Sequence, residues 1–133
     1  MSDVLDNTVL IDFWAGEPEF RASAVALVSS RRRWTAPGLW KYEFGNVMNQ
    51  LVRLQFVEEE RKRRAFLAME RVLETVDRIE LLEVDRIVGS TGLKFYDASY
   101  VWLARAKGCF LYTRDREILR ACPDVARPVE RGA

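Results

Sequence analysis

The stretch 93–115, LKFYDASYVWLARAKGCFLYTRD, predicts a helix that ends at Gly108 and a short strand that follows it. Almost all of this stretch is apolar, yet Asp97 stands near its start and Asp115 closes it. Val101 and Gly108 follow Asp97 at offsets of four and eleven residues, which is one face of an α-helix. Asp97 therefore shares the buried face, where an ionised carboxylate is costly unless its charge is compensated.

The length and composition predict one globular domain, residues 1–133. Apolar residues make up 49% of the chain and charged residues 31%, with a formal net charge of +1. No apolar run reaches the roughly 18 residues of a membrane-spanning helix. The N-terminus, MSDVLDN, is acidic, whereas a signal peptide begins with basic residues. These features predict a cytoplasmic protein with no membrane partner.

The sequence contains no histidine, which limits the chemistry available to it. Imidazole is excluded as a general base and as a metal ligand, and with it Ser-His-Asp and Cys-His catalysis. The cysteines Cys109 and Cys122 lack metal-ligand spacing and suit a reducing compartment. Hydrolytic chemistry must then rest on carboxylates, lysine, a hydroxyl or a hard metal ion.

Short strand candidates alternate with helical patterns along the chain. The strand candidates are 3–6, 34–36, 78–84, 109–113 and, as a short strand or tail, 124–129. The helix candidates are 7–15, 18–33, 37–55, 58–76, 85–91, 97–107 and 114–122. This alternation predicts an α/β fold with a short-stranded, mainly parallel central sheet. In such sheets, ligands bind outside the carboxyl ends of the strands.

Four acids are predicted to meet at that edge of the sheet. Asp6 ends the first strand and Asp115 follows the strand 109–113, so both lie at carboxyl ends. Glu43 lies at the border of the apolar face of its helix, and Asp97 shares the apolar face of the helix that it opens. Each acid also has a purely structural interpretation, as a helix cap, a turn residue or the partner of a basic side chain.

A common site for the acids would need a compensating charge. Two carboxylates about 4 Å apart repel by about 4 kcal/mol at an effective dielectric of about 20. Either some of them are protonated or a cation lies among them. Oxygen ligands without His or Cys favour Mg²⁺ or Mn²⁺. A hard divalent ion held by carboxylates commonly supports phosphoryl chemistry.

Three blocks of the sequence resemble the PIN-domain family. The block VLDNTVLIDFWAGEPE, residues 4–19, is similar to the family's opening, in which an Asp ends the first strand and a hydroxyl or amide residue follows two places on. The blocks APGLWKYEFGNVMNQLVR, residues 36–53, and LKFYDASYVWLARAKGCFLYTRDREIL, residues 93–119, resemble the second and third acidic blocks. Their order and spacing agree across essentially the whole chain. The departures are a first strand shorter than usual, Asp3 where an apolar residue is more typical, and DNT in place of the commoner DTN or DAS.

The resemblance implies a PIN-like three-layer fold and a metal site built from the four acids. Asp6, Glu43 and Asp97 would hold Mg²⁺ or Mn²⁺, directly or through water. Asp115 would complete this set or position a second ion, and Thr8 would hydrogen-bond Asp6 or a metal-bound water. The nucleophile would be a water that attacks the phosphodiester phosphorus.

The length of the chain is also similar to that of VapC-type toxins, the ribonuclease half of bacterial toxin–antitoxin pairs. That resemblance implies an endoribonuclease that depends on Mg²⁺ or Mn²⁺ and acts as the toxin of a type II system. It also implies a homodimer and a cognate antitoxin whose C-terminal part covers the cleft. Arg114 and Arg116, which flank Asp115, are the predicted contacts for RNA phosphates.

Competing interpretations of function and of single residues stay open. The same fold with a weak or inactive site could act as a binding module through a protein partner. A small phosphatase would need a second Asp in its opening motif, which LDNTV lacks. Asp12 is expected to be exposed or to support the site indirectly, and the run RKRR, 61–64, suits a solvated helix face. Trp40 is expected in the core or in a dimer interface.

Overall fold

The structure, a computed structural model, describes residues 2–31 and 33–130. The strands are β1 (Val4–Leu5), β2 (Trp34–Pro37), β3 (Leu73–Val76), β4 (Leu111–Thr113) and β5 (Ala126–Pro128). The helices are α1 (Asn7–Ala15), α2 (Pro18–Ser29), α3 (Trp40–Arg53), α4 (Glu59–Val72), α5 (Leu81–Thr91), α6 (Phe95–Lys107) and α7 (Arg116–Ala121). The strand order is β3-β2-β1-β4-β5, and the recorded pairings are all parallel. The predicted α/β class with a parallel sheet flanked by helices is confirmed.

The short central strand β1 places the first acid at the carboxyl edge of the sheet. Val4 and Leu5 are fully buried, and β1 pairs with β2 on one side and with β4 on the other. Leu5 is in register with Tyr112, so β1 and β4 end nearly level. The residues that follow these two strands therefore lie at the same edge of the sheet, as predicted for Asp6 and Asp115.

The predicted third strand at 78–84 is wrong. The strand lies earlier, at Leu73–Val76, while Leu81 and Leu82 begin α5 with side chains 65% and 75% exposed. The helix predicted over 58–76 therefore ends at Val72. Leu73 and Val76 continue the helical spacing of α4, so periodicity alone could not separate the strand from the helix. Pairing with all four residues of β2 decides the conformation.

The ends of two predicted helices also shift. Pro37 closes β2, and α3 begins only at Trp40, because the N–H of Gly38 continues the sheet by donating to the carbonyl of Val76 at 2.8 Å. The helix predicted over 18–33 ends at Ser29. Residue 32 of its basic end lies outside the described residues.

Asp3 ties the first strand to its neighbours at the opposite edge of the sheet. Its Oδ1 accepts the backbone N–H of Phe110 at 2.9 Å, and its Oδ2 lies 3.2 Å from Arg31. The Arg31 guanidinium also lies over the ring of Trp34, at 4.8 Å from the ring centroid. These contacts explain how a carboxylate is accommodated where an apolar residue is more usual in the family that the sequence resembles.

The core lies between the sheet and its helices. Its largest fully buried side chains include those of Trp34, Tyr100 and Phe44, and Trp40 is 2% exposed, as expected for a core residue. Among the described residues, no helix combines the length and apolar character needed to span a bilayer.

Candidate active site

Asp6 lies at the carboxyl edge of the sheet, directly after β1. Its side chain is only 3% exposed, and its Oδ2 accepts two hydroxyl hydrogen bonds, from Thr8 at 3.0 Å and from Thr113 at 2.6 Å. Burial raises the pKa of Asp6, and the nearby charge of Asp115 raises it further, while the two threonine bonds lower it. The predicted contact between Thr8 and Asp6 is present in the structure.

Thr113 is a site residue that the sequence analysis missed. It ends β4, is fully buried, and accepts the N–H of Asp115 at 2.9 Å while it donates to Asp6. One hydroxyl thus links two of the acids. A signal for it exists in the sequence, because Thr113 lies two residues after buried Leu111 and so shares its face of the strand.

Glu43 projects from the first turn of α3 and is half-buried. The Tyr100 hydroxyl donates to its Oε1 at 2.9 Å. Burial is the main cause that raises the pKa of Glu43 to about 7, and the charges of Asp6 and Asp97 add to it. Within the described part of the chain, no arginine or lysine forms an ion pair with Glu43. The interpretation of Glu43 as the partner of a basic side chain is therefore wrong.

Asp97 lies in the first turn of α6, and Lys94 occupies the N-cap position of that helix. The interpretation of Asp97 as an N-cap is therefore wrong. Burial raises the pKa of Asp97 to about 6, together with the charges of Asp6 and Asp115, although Lys94 lowers it. Asp97 is thus a half-buried carboxylate that faces two of the other predicted site acids.

Asp115 is both a helix cap and a member of the acidic cluster. It is the N-cap of α7, and its Oδ1 accepts the N–H groups of Glu117 at 2.8 Å and of Ile118 at 3.3 Å. The cap interpretation of this residue is confirmed. Its charge nevertheless acts on Asp6 and Asp97, so capping does not remove it from the cleft.

The structure thus brings the four predicted acids together, although their side chains do not form a complete metal-coordination site. Among residues 2–31 and 33–130, no group of three or more acidic or cysteine side chains is arranged to hold a metal ion as it stands. Mg²⁺ commonly binds through one or two carboxylates and keeps several waters, so an open site suits it. Hard carboxylate oxygens that raise one another's pKa fit a divalent cation by charge and by donor type.

Asp12 and Arg114 form an ion pair beside the cleft that the sequence analysis did not predict. Asp12 is buried, so of the two expectations for it exposure is wrong, while indirect support of the site stays a prediction. Its two oxygens accept Nε and Nη2 of Arg114 at 2.7 and 3.0 Å, and the guanidinium lies 4.2 Å from the ring centroid of Phe20. Asp12, Phe20 and Arg114 line a cavity of about 240 Å³, and Arg116 lines it too. The side chain of Arg114 stays 45% exposed.

Replacing Asp12 with alanine is expected to lower the free energy of unfolding by about 1.5 kcal/mol. The change removes the buried acceptor of two charge-assisted bonds, whereas the half-exposed Arg114 can still be hydrated. Urea unfolding measures the loss. Asp124→Ala is the matched control, since Asp124 makes the same two-bond contact with Arg105 at 2.9 and 3.0 Å on the surface. Its loss should stay below about 1 kcal/mol, and equal losses would contradict the role of burial.

The parallel five-stranded sheet with acids clustered at its carboxyl edge defines an α/β domain whose candidate ligand site lies at that edge. Residues 4–122 match the PIN domain family model, and the chain belongs to the PIN domain family. The resemblance inferred from the three sequence blocks is confirmed.

A curated relative and a solved structure, both from the same organism, are similar to the chain. Exonuclease VapC9 of Pyrobaculum aerophilum is 37% identical over 81 residues, which cover 59% of this chain and 59% of that protein. The crystal structure of PAE2754 from Pyrobaculum aerophilum has a TM-score of 0.77 and 26% identity, and the match covers 97% of this chain and 84% of that one.

Two more distant structures show the fold alone. A toxin–antitoxin complex from Klebsiella pneumoniae has a TM-score of 0.73 at 17% identity and covers 95% of this chain and 97% of that one. VapBC2 from Rickettsia felis, bound to a DNA fragment from its promoter, has a TM-score of 0.70 at 12% identity, with 98% and 100% covered.

Proposed function

We propose that the protein is a divalent-cation-dependent endoribonuclease and the toxin of a type II toxin–antitoxin pair. The observation that carries the proposal is the cluster of Asp6, Glu43 and Asp97, three carboxylates whose raised pKa values reflect burial and mutual repulsion in a PIN fold. A bound cation would relieve their mutual repulsion, and clustered acids with perturbed pKa values are typical of catalytic sites.

In this proposal, each of the four acids has a part in holding the cation. Asp6, Glu43 and Asp97 hold Mg²⁺ or Mn²⁺, directly or through water. Asp115, whose Oδ1 is engaged by the α7 N-terminus, completes the set with its other oxygen. Thr8 orients Asp6. When bound, such an ion supplies Lewis-acid polarisation of the phosphodiester and lowers the pKa of a water nucleophile.

Basic side chains beside the acids bind the RNA backbone in this proposal. Arg114 is held rigid by Asp12 and Phe20 yet remains 45% exposed, so it can offer a donor to a phosphate. Arg116 lines the same cavity. A homodimer in the cytoplasm and a cognate antitoxin that covers the cleft complete the proposal. The PIN family match supports it, as does the similarity to a relative that is named a VapC exonuclease.

A cleavage assay tests the proposal with three substrates of the same nucleotide sequence: linear RNA, circular RNA and linear single-stranded DNA. We expect purified protein to cut both RNA forms with Mg²⁺ or Mn²⁺, and to lose the activity when EDTA is added. Cutting of the linear RNA alone would show exonuclease action, the activity named for the VapC9 relative, and would overturn the endonuclease part. Absence of cleavage with either ion would favour the binding-module alternative, and EDTA-resistant cleavage would exclude the cation.

A further inference from the structure

The hydroxyl of Tyr100 is a polar group enclosed in the core next to the acidic cluster. Tyr100 is fully buried on α6, one turn after Asp97. A buried hydroxyl needs a partner, because leaving it unpaired in apolar surroundings is costly. Its partner is Oε1 of Glu43 on α3, at 2.9 Å. Phenylalanine would fill nearly the same space without that requirement, so the hydroxyl points to a use for this one bond.

The bond determines how Glu43 presents its carboxylate. Tyr100 engages Oε1, and within the part of the chain that the structure describes no other hydrogen bond to the carboxylate of Glu43 is found. Oε2 is therefore left for a ligand in the cleft. Carboxylates that bind metal ions are commonly oriented by such a hydrogen bond from a neighbouring side chain, and its loss weakens metal binding.

A phenol suits this task better than a basic side chain does. Lysine or arginine at the same place would neutralise Glu43 and weaken its attraction for a cation. Tyr100 donates a hydrogen bond and adds no charge. The ordinary pKa of tyrosine is about 10, so the phenol stays protonated and remains a donor at physiological pH.

We propose that Tyr100 is a positioning residue that holds Glu43 ready for the divalent cation and thereby sets the cation affinity of the site. The proposal rests on the proposed function, since it concerns the same carboxylate. Tyr100 acts through Glu43 and does not itself contact the ion or the RNA.

Mn²⁺ binding without RNA provides the direct test, followed through the electron paramagnetic resonance signal of free Mn²⁺ at pH 8. Tyr100→Phe is expected to weaken binding roughly tenfold. Tyr112→Phe is the matched control, because Tyr112 is a half-buried tyrosine of β4 whose ring packs against Trp34. It should bind Mn²⁺ as the wild type does. Circular dichroism melting verifies that both variants fold.

A double-mutant comparison separates positioning from a general packing role. In a Glu43→Ala background, adding Tyr100→Phe should change Mn²⁺ affinity no further, because the residue through which Tyr100 acts is gone. In cleavage assays, excess Mn²⁺ should restore most of the kcat of Tyr100→Phe.

The possible outcomes are distinguishable. A wild-type protein that binds no Mn²⁺ would contradict the proposed function itself. If the wild type binds Mn²⁺ and Tyr100→Phe binds it with undiminished affinity, the role of Tyr100 alone would be overturned. An equal loss in Tyr112→Phe, or a further loss when Tyr100→Phe is added to Glu43→Ala, would also overturn it, because the effect would not pass through Glu43.

Discussion

Asp97→Asn is expected to reduce cation-dependent RNA cleavage by about a thousandfold or more while leaving the fold intact. Asn has nearly the shape of Asp but lacks the charge that the proposed site needs for its ion. Asp97 is half-buried in the first turn of α6, and its charge faces those of Asp6 and Asp115. The substitution leaves helix α6 in place but takes away the negative charge of one of the carboxylate ligands proposed for the cation.

The same substitution is expected to stabilise the protein in EDTA. Burial and two neighbouring charges raise the pKa of Asp97 to about 6, so at pH 8 the folded protein holds this carboxylate ionised at a cost. Asn removes that cost, and we expect the melting temperature to rise by about 3 °C. Loss of activity together with a gain in stability is the result expected for a catalytic acid. An acid that only stabilises the fold would not give this combination.

Initial rates on a defined RNA and melting curves at pH 8 measure the two effects. Asp85→Asn is the control, since Asp85 is an exposed acid on α5 and undergoes the same chemical change. It should retain wild-type cleavage and melting temperature. Undiminished cleavage by Asp97→Asn would rule out the role assigned to Asp97, and a lower melting temperature would show that its charge is compensated in the folded protein.

The protein without a cation is expected to become less stable as the pH rises from 5.5 to 8.5. The folded-state pKa values of Glu43 and Asp97, about 7 and about 6, lie above their ordinary values of 4.5 and 3.8. Over this interval the folded state binds more protons than the unfolded state, so stability falls with pH. The stabilising contribution is fully present below the ordinary values and is lost as the pH passes through about 6 and about 7.

The loss should be on the order of 2 kcal/mol, because water at the open cleft screens part of the repulsion. A divalent cation should reverse it. Mg²⁺ at about a hundred times its Kd would add about 2.7 kcal/mol at pH 8.5. It should add much less at pH 5.5, where protons compete for the same oxygens. Urea unfolding in EDTA and in Mg²⁺ at the two pH values measures both effects.

The double variant Glu43→Gln/Asp97→Asn is the control for this pH dependence. It removes both titrating groups, so the fall in stability with pH and the response to Mg²⁺ should shrink together. An apo protein with constant stability over the interval would contradict the raised pKa values. An equal response to Mg²⁺ at both pH values would place the cation on other groups.

Much of the candidate site could be predicted from the sequence, because its main acids follow local patterns. Asp6 comes directly after β1 and Asp115 two residues after the end of β4, and parallel strands carry such residues to one edge. Glu43 and Asp97 share or border apolar helical faces, and the spacing of their neighbours shows this directly. Local periodicity failed for β3, whose Leu73 fits a helical stripe as well as a strand.

The sequence by itself determined the α/β class, the parallel sheet, the edge at which the acids lie and the exclusion of histidine chemistry. Only the tertiary structure decided the partners of these acids. Thr113 meets Asp6 across 107 residues of chain, Tyr100 meets Glu43 across 57, and Arg114 meets Asp12 across 102. Periodicity shows which face of a helix or strand is buried, but the distant side chain that this face meets depends on how the elements pack.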